Sequence, residues 1–91
     1  MVIRFGPRQA RWIRERKWHR SARIQEEIGG GLVLRLRVAE TSELRRWLLQ
    51  FGAEAEVLAP ASLRRAVAED LRTAVAPYRD RARSRRQGNP A

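Results

Sequence analysis

The sequence predicts an α+β fold, a ferredoxin-like split βαββαβ sandwich with one additional C-terminal helix, on three observations. Segments in which apolar and polar residues alternate with period two interleave with segments of period 3.6. Their order is strand, helix, strand, strand, helix, strand, helix, and only Gly29-Gly30-Gly31 separates the two middle strands. At 91 residues the chain has room for one core. The strands must therefore share one sheet, with the helices on one of its faces.

Each element has its own signal. Val2-Ile3-Arg4-Phe5 alternates, with Ile3 and Phe5 on one face and Val2 and Arg4 on the other. Pro7 suits the first turn of a helix and opens one running to about Lys17, with Ala10 and Ile13 facing inward and Trp12 beside them. A second strand covers residues 23–28, with Ile24 and Ile28 on a common side. The three glycines after it tolerate the positive φ of a tight hairpin. Residues 32–38 form the clearest strand, placing Leu32, Leu34, Leu36 and Val38 on one face and Val33, Arg35 and Arg37 on the other. Thr41 or Ser42 caps the next helix, Glu43 complements its N-terminal dipole, and Leu44, Trp47, Leu48 and Phe51 form its apolar stripe. Gly52 is placed to end it. Residues 53–58 form a short strand stopped by Pro60. Ser62 then caps a last helix carrying Leu63, Ala66, Val67, Leu71 and Val75, which Pro77 should stop. The folded domain thus spans residues 1–78, and the basic segment 79–91 reads as a disordered tail.

Charge is segregated along the chain. Residues 1–24 carry eight cations against Glu15 alone, a net of +7; residues 25–78 carry seven arginines against eight acids, a net of −1; residues 79–91 carry five arginines against Asp80, a net of +4. Clustered cations release the counterions condensed on a polyanion and steer its approach. The plainer reading is a solvated, arginine-rich surface.

Composition also excludes chemistry. With no cysteine and only His19, one subunit can assemble neither a disulfide, a thiolate site, a metal cluster nor a histidine-based triad. The glycine run precedes a strand and lacks a following Lys-Ser/Thr pair, so it is a hairpin turn and not a phosphate loop. Glu26 and Glu27, like Glu54 and Glu56, read as surface charges. The chain is expected to be non-enzymatic and without a cofactor. Met1-Val2-Ile3-Arg4 lacks the apolar core of a signal peptide, and no apolar run approaches the ~20 residues needed to span a bilayer. A cytoplasmic protein is expected.

Three blocks, taken in order, resemble one family: residues 11–21 with Trp18-His19 before Ser21, residues 31–38, and residues 43–60 with Leu48-Leu49-Gln50-Phe51-Gly52 followed by Glu56-Val57-Leu58-Ala59-Pro60. Together they are similar to the C-terminal extension, called WCX, of bacterial WYL-domain transcriptional regulators, over about residues 2–78. The resemblance implies a ferredoxin-like domain at the end of a longer regulator that begins with a winged helix-turn-helix and a WYL domain. This chain would then be the C-terminal piece, with those domains of the parent chain as its partners. It further implies a homodimer in which this extension contacts the partner subunit, and single-stranded DNA or a nucleotide as a possible effector.

The candidate ligand-binding residues form two groups. Arg11, Arg14, Arg16, Lys17 and Arg20 lie on the first helix and the turn after it, where they could make a cationic ridge; Trp18 could stack on a ligand or partner there. Arg4, Arg35 and Arg37, with Arg23 nearby, project from the open face of the sheet. Guanidinium forks match phosphate oxygens, but the open face has no Phe or Tyr on which bases could stack, which argues against sequence-reading RNA recognition. Two function classes follow: a regulatory module responding to an anionic effector, or a free-standing ferredoxin-like nucleic-acid-binding protein.

Overall fold

The structure, a computed structural model, describes residues 1–88, with side chains through Arg79. Strand β1 (Val2–Phe5) leads through Gly6 into helix α1 (Pro7–Glu15); β2 (Arg23–Glu26) and β3 (Leu32–Arg35) form a hairpin. Helix α2 (Ser42–Leu49) runs through a 3₁₀ turn (Gly52–Glu54) into β4 (Ala55–Ala59), and α3 spans Ala61–Gly88. The sheet order is β2-β3-β1-β4 with every neighbouring pair antiparallel. This is the predicted split βαββαβ architecture with one further helix.

Local chemistry explains the boundaries. Pro7 stands at the start of α1, where its missing N–H has no intrahelical partner to lose. Thr41 caps α2 by accepting the Leu44 N–H at 3.1 Å. Gly29 and Gly30 turn the hairpin at φ 96° and 97°, a region that side chains with a Cβ seldom enter. Gly31 has a different reason: a Cβ there would lie 2.8 Å from the Phe5 carbonyl oxygen.

The core forms where the inward residues of the strands meet the helices. Ile3, Phe5, Leu32 and Leu34 are fully buried, against Ala10 and Ile13 of α1, Leu48 of α2 and Leu63 of α3. Phe5 is its centre, meeting Trp47 and Phe51 edge to face at 6.1 and 5.2 Å between ring centroids. Each such pair contributes about 0.5–1.5 kcal/mol beyond the area it buries.

The structure departs from the sequence-based expectations in several places. Trp12 is 64% exposed, since it lies one residue, or about 100°, around α1 from the buried Ile13. The β2 ladder ends at Glu26, leaving Ile28 fully exposed in the turn; Ile24 faces the helical side, but on the edge strand it stays 40% exposed. The β3 ladder ends at Arg35, although Leu36 remains buried and exchanges backbone hydrogen bonds with Met1. Val38 is exposed. Ser62 lies inside α3 and not at its cap, since Ala61 is already helical and the Pro60 carbonyl accepts the Arg64 N–H. Pro77 does not stop α3. The flanking residues are exposed, so water can satisfy the Thr73 carbonyl that loses its partner. Of the segment expected to be disordered, the backbone is helical to Gly88. Residues 89–91, and the side chains from Asp80 onward, lie outside the described residues.

A candidate anion-binding face

The open face of the sheet is built from two cross-strand rows. Gln25, Val33, Arg4 and Glu56 are successive partners in one; Arg23, Arg35 and Val2 are successive partners in the next. Arg37 continues β3 on the same side. Val33 is 6% exposed although it faces away from the helices, because Gln25 and Arg4 flank it and long polar side chains cover apolar neighbours with their stems.

Register then divides the face electrostatically. Arg4 lies between two acids, with Nε donating to Glu27 Oε1 at 3.1 Å and a second nitrogen 3.7 Å from Glu56 Oε1. Glu56 also accepts from Arg64 of α3 at 2.7 Å. This end of the face is internally neutralised. At the other end Arg23 sits directly opposite Arg35, and Arg37 follows two residues along β3. Among the described residues no carboxylate lies within 4.0 Å of these three guanidinium groups. They border an open cleft of about 510 Å³ that also includes Met1, Val2 and Ser21.

The cleft has a fixed frame. Ser21 Oγ accepts the Arg37 N–H at 2.9 Å and lies 2.7 Å from His19 Nδ1, holding Arg37 in place beyond the end of the ladder. The Arg23 guanidinium donates to the carbonyl of Ala22 at 2.8 Å and that of Arg20 at 3.3 Å. The Met1 backbone nitrogen donates to the Leu36 carbonyl at 2.8 Å, fixing the edge of the cleft. Like charges directly opposite on neighbouring strands are destabilising. An anion in the cleft would convert that repulsion into charge-assisted hydrogen bonds.

The helix group is dispersed. Arg14 grips Glu26 through both Nε and a terminal nitrogen, at 2.6–3.0 Å, and donates to the Gly30 carbonyl at 2.9 Å. The hydrogen bond between them is the main cause that raises the Arg14 pKa and lowers that of Glu26. Arg14 thus ties α1 to the β2–β3 hairpin. Arg11 pairs with Glu15 at 3.5 Å, and the Arg16 guanidinium lies 5.6 Å above the Trp18 ring. Lys17 and Arg20 are exposed. Trp18 is partly buried: its Nε1–H donates to the Ile13 carbonyl at 2.8 Å, closing the end of α1, and its ring meets Trp47 edge to face at 5.1 Å. No single ridge joins these side chains.

Arg23 was placed on the open face by its sequence phase but not counted among the candidate ligand-binding residues, and Ser21 carried no signal. A hairpin centred on Gly29 pairs residues equidistant from it. That symmetry sets Arg23 against Arg35 from sequence alone.

The WCX domain matches residues 1–75, which include all four strands, α1, α2 and the first half of α3. The chain belongs to the WCX family. No curated protein matches it. Membership agrees with the resemblance read from residues 11–21, 31–38 and 43–60, and assigns this WCX domain to the regulatory domains of WYL-type regulators. Among the described residues no group of three His, Asp or Glu side chains could hold a metal ion, and no helix is long and apolar enough to cross a membrane.

Proposed function

We propose that this WCX domain is the non-enzymatic C-terminal regulatory part of a cytoplasmic WYL-type transcription factor, and that the Arg23–Arg35–Arg37 cleft receives phosphates of an effector, single-stranded DNA or a nucleotide. The observation that carries the reading is the register: two arginines face each other across neighbouring strands, with no acid beside them among the described residues. Arginine forks bind phosphate oxygens two at a time. Arg35 and Arg37 project on one side of an extended strand about 7 Å apart, a spacing that lets one flexible phosphodiester strand contact both.

In this mechanism the occupied cleft biases how the domain packs against the WYL domain of the parent chain or against the partner subunit of a homodimer. The winged helix-turn-helix then gains or loses operator affinity by the coupling free energy. An apolar stripe on α3 supports a packing role. Leu71, Val75 and Tyr78 lie at i, i+4 and i+7, all exposed, Tyr78 at 77%.

Fluorescence anisotropy of labelled oligothymidylate tests the cleft. Binding should be saturable near physiological salt. With Arg35→Ala/Arg37→Ala, the slope of log K against log salt should fall by about 1.4, since each single-strand phosphate contact contributes about 0.7. An unchanged slope in this variant would remove the cleft from the binding site.

A further inference from the structure

On the helical layer, away from the arginine cleft, α1 and the end of α2 enclose an open groove of about 270 Å³. Ile13, Trp18 and Phe51 line it together with Gln9, Trp12, Arg16 and Gln50. Two features set it apart. Trp12 is the most exposed tryptophan and lines the groove from a helix whose Ala10 and Ile13 are buried. The charge beside the groove is positive: Arg16 lines it, Lys17 and Arg20 flank its Trp18 in sequence, and none of the three has a carboxylate within 4.0 Å among the described residues.

We infer that this groove docks an acidic protein segment through one bulky apolar side chain inserted beside Trp12. Size selects the occupant: the groove lies below the roughly 300–1,000 Å³ of sites that enclose a small molecule, but it suits a single anchor of the kind that dominates protein interfaces. Ring geometry argues against a nucleobase. Trp18 and Phe51 are both committed edgewise to Trp47, at 67° and 83°, and the Arg16 guanidinium sits over the Trp18 ring. Of the rings lining the groove, Trp12 alone makes no ring or guanidinium contact among the described residues, so a flat base would have one stacking partner. A Leu, Phe or Trp side chain instead fills the groove beside Trp12. Charge complementarity makes the flanking residues of that segment acidic, to meet Arg16 and the cations Lys17 and Arg20 that follow it in sequence.

Selection of displayed random dodecapeptides on the full chain tests the inference without a known partner. Peptides with Asp or Glu flanking one Leu, Phe or Trp should be enriched. A synthetic copy of the winning peptide should lose about tenfold or more in affinity with Trp12→Ala, and also weaken with Arg16→Glu. Binding should be unchanged with Arg35→Ala/Arg37→Ala, which separates this groove from the proposed effector cleft. Trp12 is largely exposed, so circular dichroism and thermal melting of Trp12→Ala should match the parent chain. Failure to enrich any peptide, enrichment without acidic residues, or affinity indifferent to Trp12→Ala would each overturn the inference. Displacement of the peptide by oligothymidylate, in a manner that depends on Trp12, would reassign the groove to nucleic acid.

Discussion

Phe5 shows how one residue connects sequence, core and site. It is fully buried, its ring contacts Trp47 and Phe51, and the next inward residue on its strand, Ile3, is also fully buried. Between them Arg4 points the other way and is balanced by Glu27 and Glu56. Phe5→Ala should cost about 3–5 kcal/mol, as large-to-small changes in a packed core do, and chemical denaturation would measure it. A loss below about 1 kcal/mol would show that Phe5 is not the centre of the core. The inward identity of Ile3, Phe5, Leu32, Leu34 and Leu36 was legible, because period-two alternation has only two phases. The surroundings of Trp12 were not. On a nine-residue helix, neighbours in sequence differ by about 100° in direction, so Trp12 could line the core or leave it.

At the scale of elements, the first helix is anchored by its buried Ala10 and Ile13 and is also linked to the hairpin. Arg14 reaches Glu26 and the Gly30 carbonyl, across twelve and sixteen residues. Its partner holds a pKa below the ordinary glutamate range because the carboxylate accepts the Arg14 hydrogen bonds. A depressed folded-state value means that the stabilisation is present above the unfolded pKa of about 4.3 and is lost as pH falls through the lower, folded value. Both side chains are substantially exposed, so the effect is small and screened by salt. Acidification should therefore destabilise the parent chain more than Glu26→Gln, as measured by thermal melts from pH 6 to pH 3. Equal acid sensitivity in the two proteins would mean that the pair contributes nothing. The strand and helix order was readable from turn glycines, capping residues and periodicity. The fates of Arg14 and Arg4 were not, because each is decided by an acid on a different element. The course of α3 beyond Pro77 was also hidden, since an exposed helix can keep a proline that a buried one would reject.

As a whole molecule the chain is less compact than its mass implies. Its accessible surface of 7299 Å² exceeds by about a third the roughly 5,500 Å² of a compact monomer of this mass. The radius of gyration is 16.5 Å, where a compact chain of this length has about 12 Å. Much of the difference is the 28-residue α3, which packs on β4 and α2 and exposes Leu71, Val75 and Tyr78. An exposed apolar stripe on a projecting helix leaves a surface that another protein surface could cover. Charge is arranged at the same scale. Of the cations in residues 1–24, Arg4, Arg8, Arg11 and Arg14 face carboxylates within 4.0 Å, while Arg23 lies at the arginine cleft and Arg16 at the aromatic groove without one among the described residues.

The most direct test of the arginine cleft is the thermal melt of Arg35→Gln at low salt, with and without oligothymidylate. If Arg23 and Arg35 repel each other in wait for an anion, the substitution should stabilise the free chain by about 0.2–1 kcal/mol. It should also reduce the stabilisation that ligand gives the parent chain, about 2.7 kcal/mol at a hundredfold excess over Kd. A variant less stable than the parent, or one still stabilised by ligand to the same extent, would contradict an anion site built on these arginines.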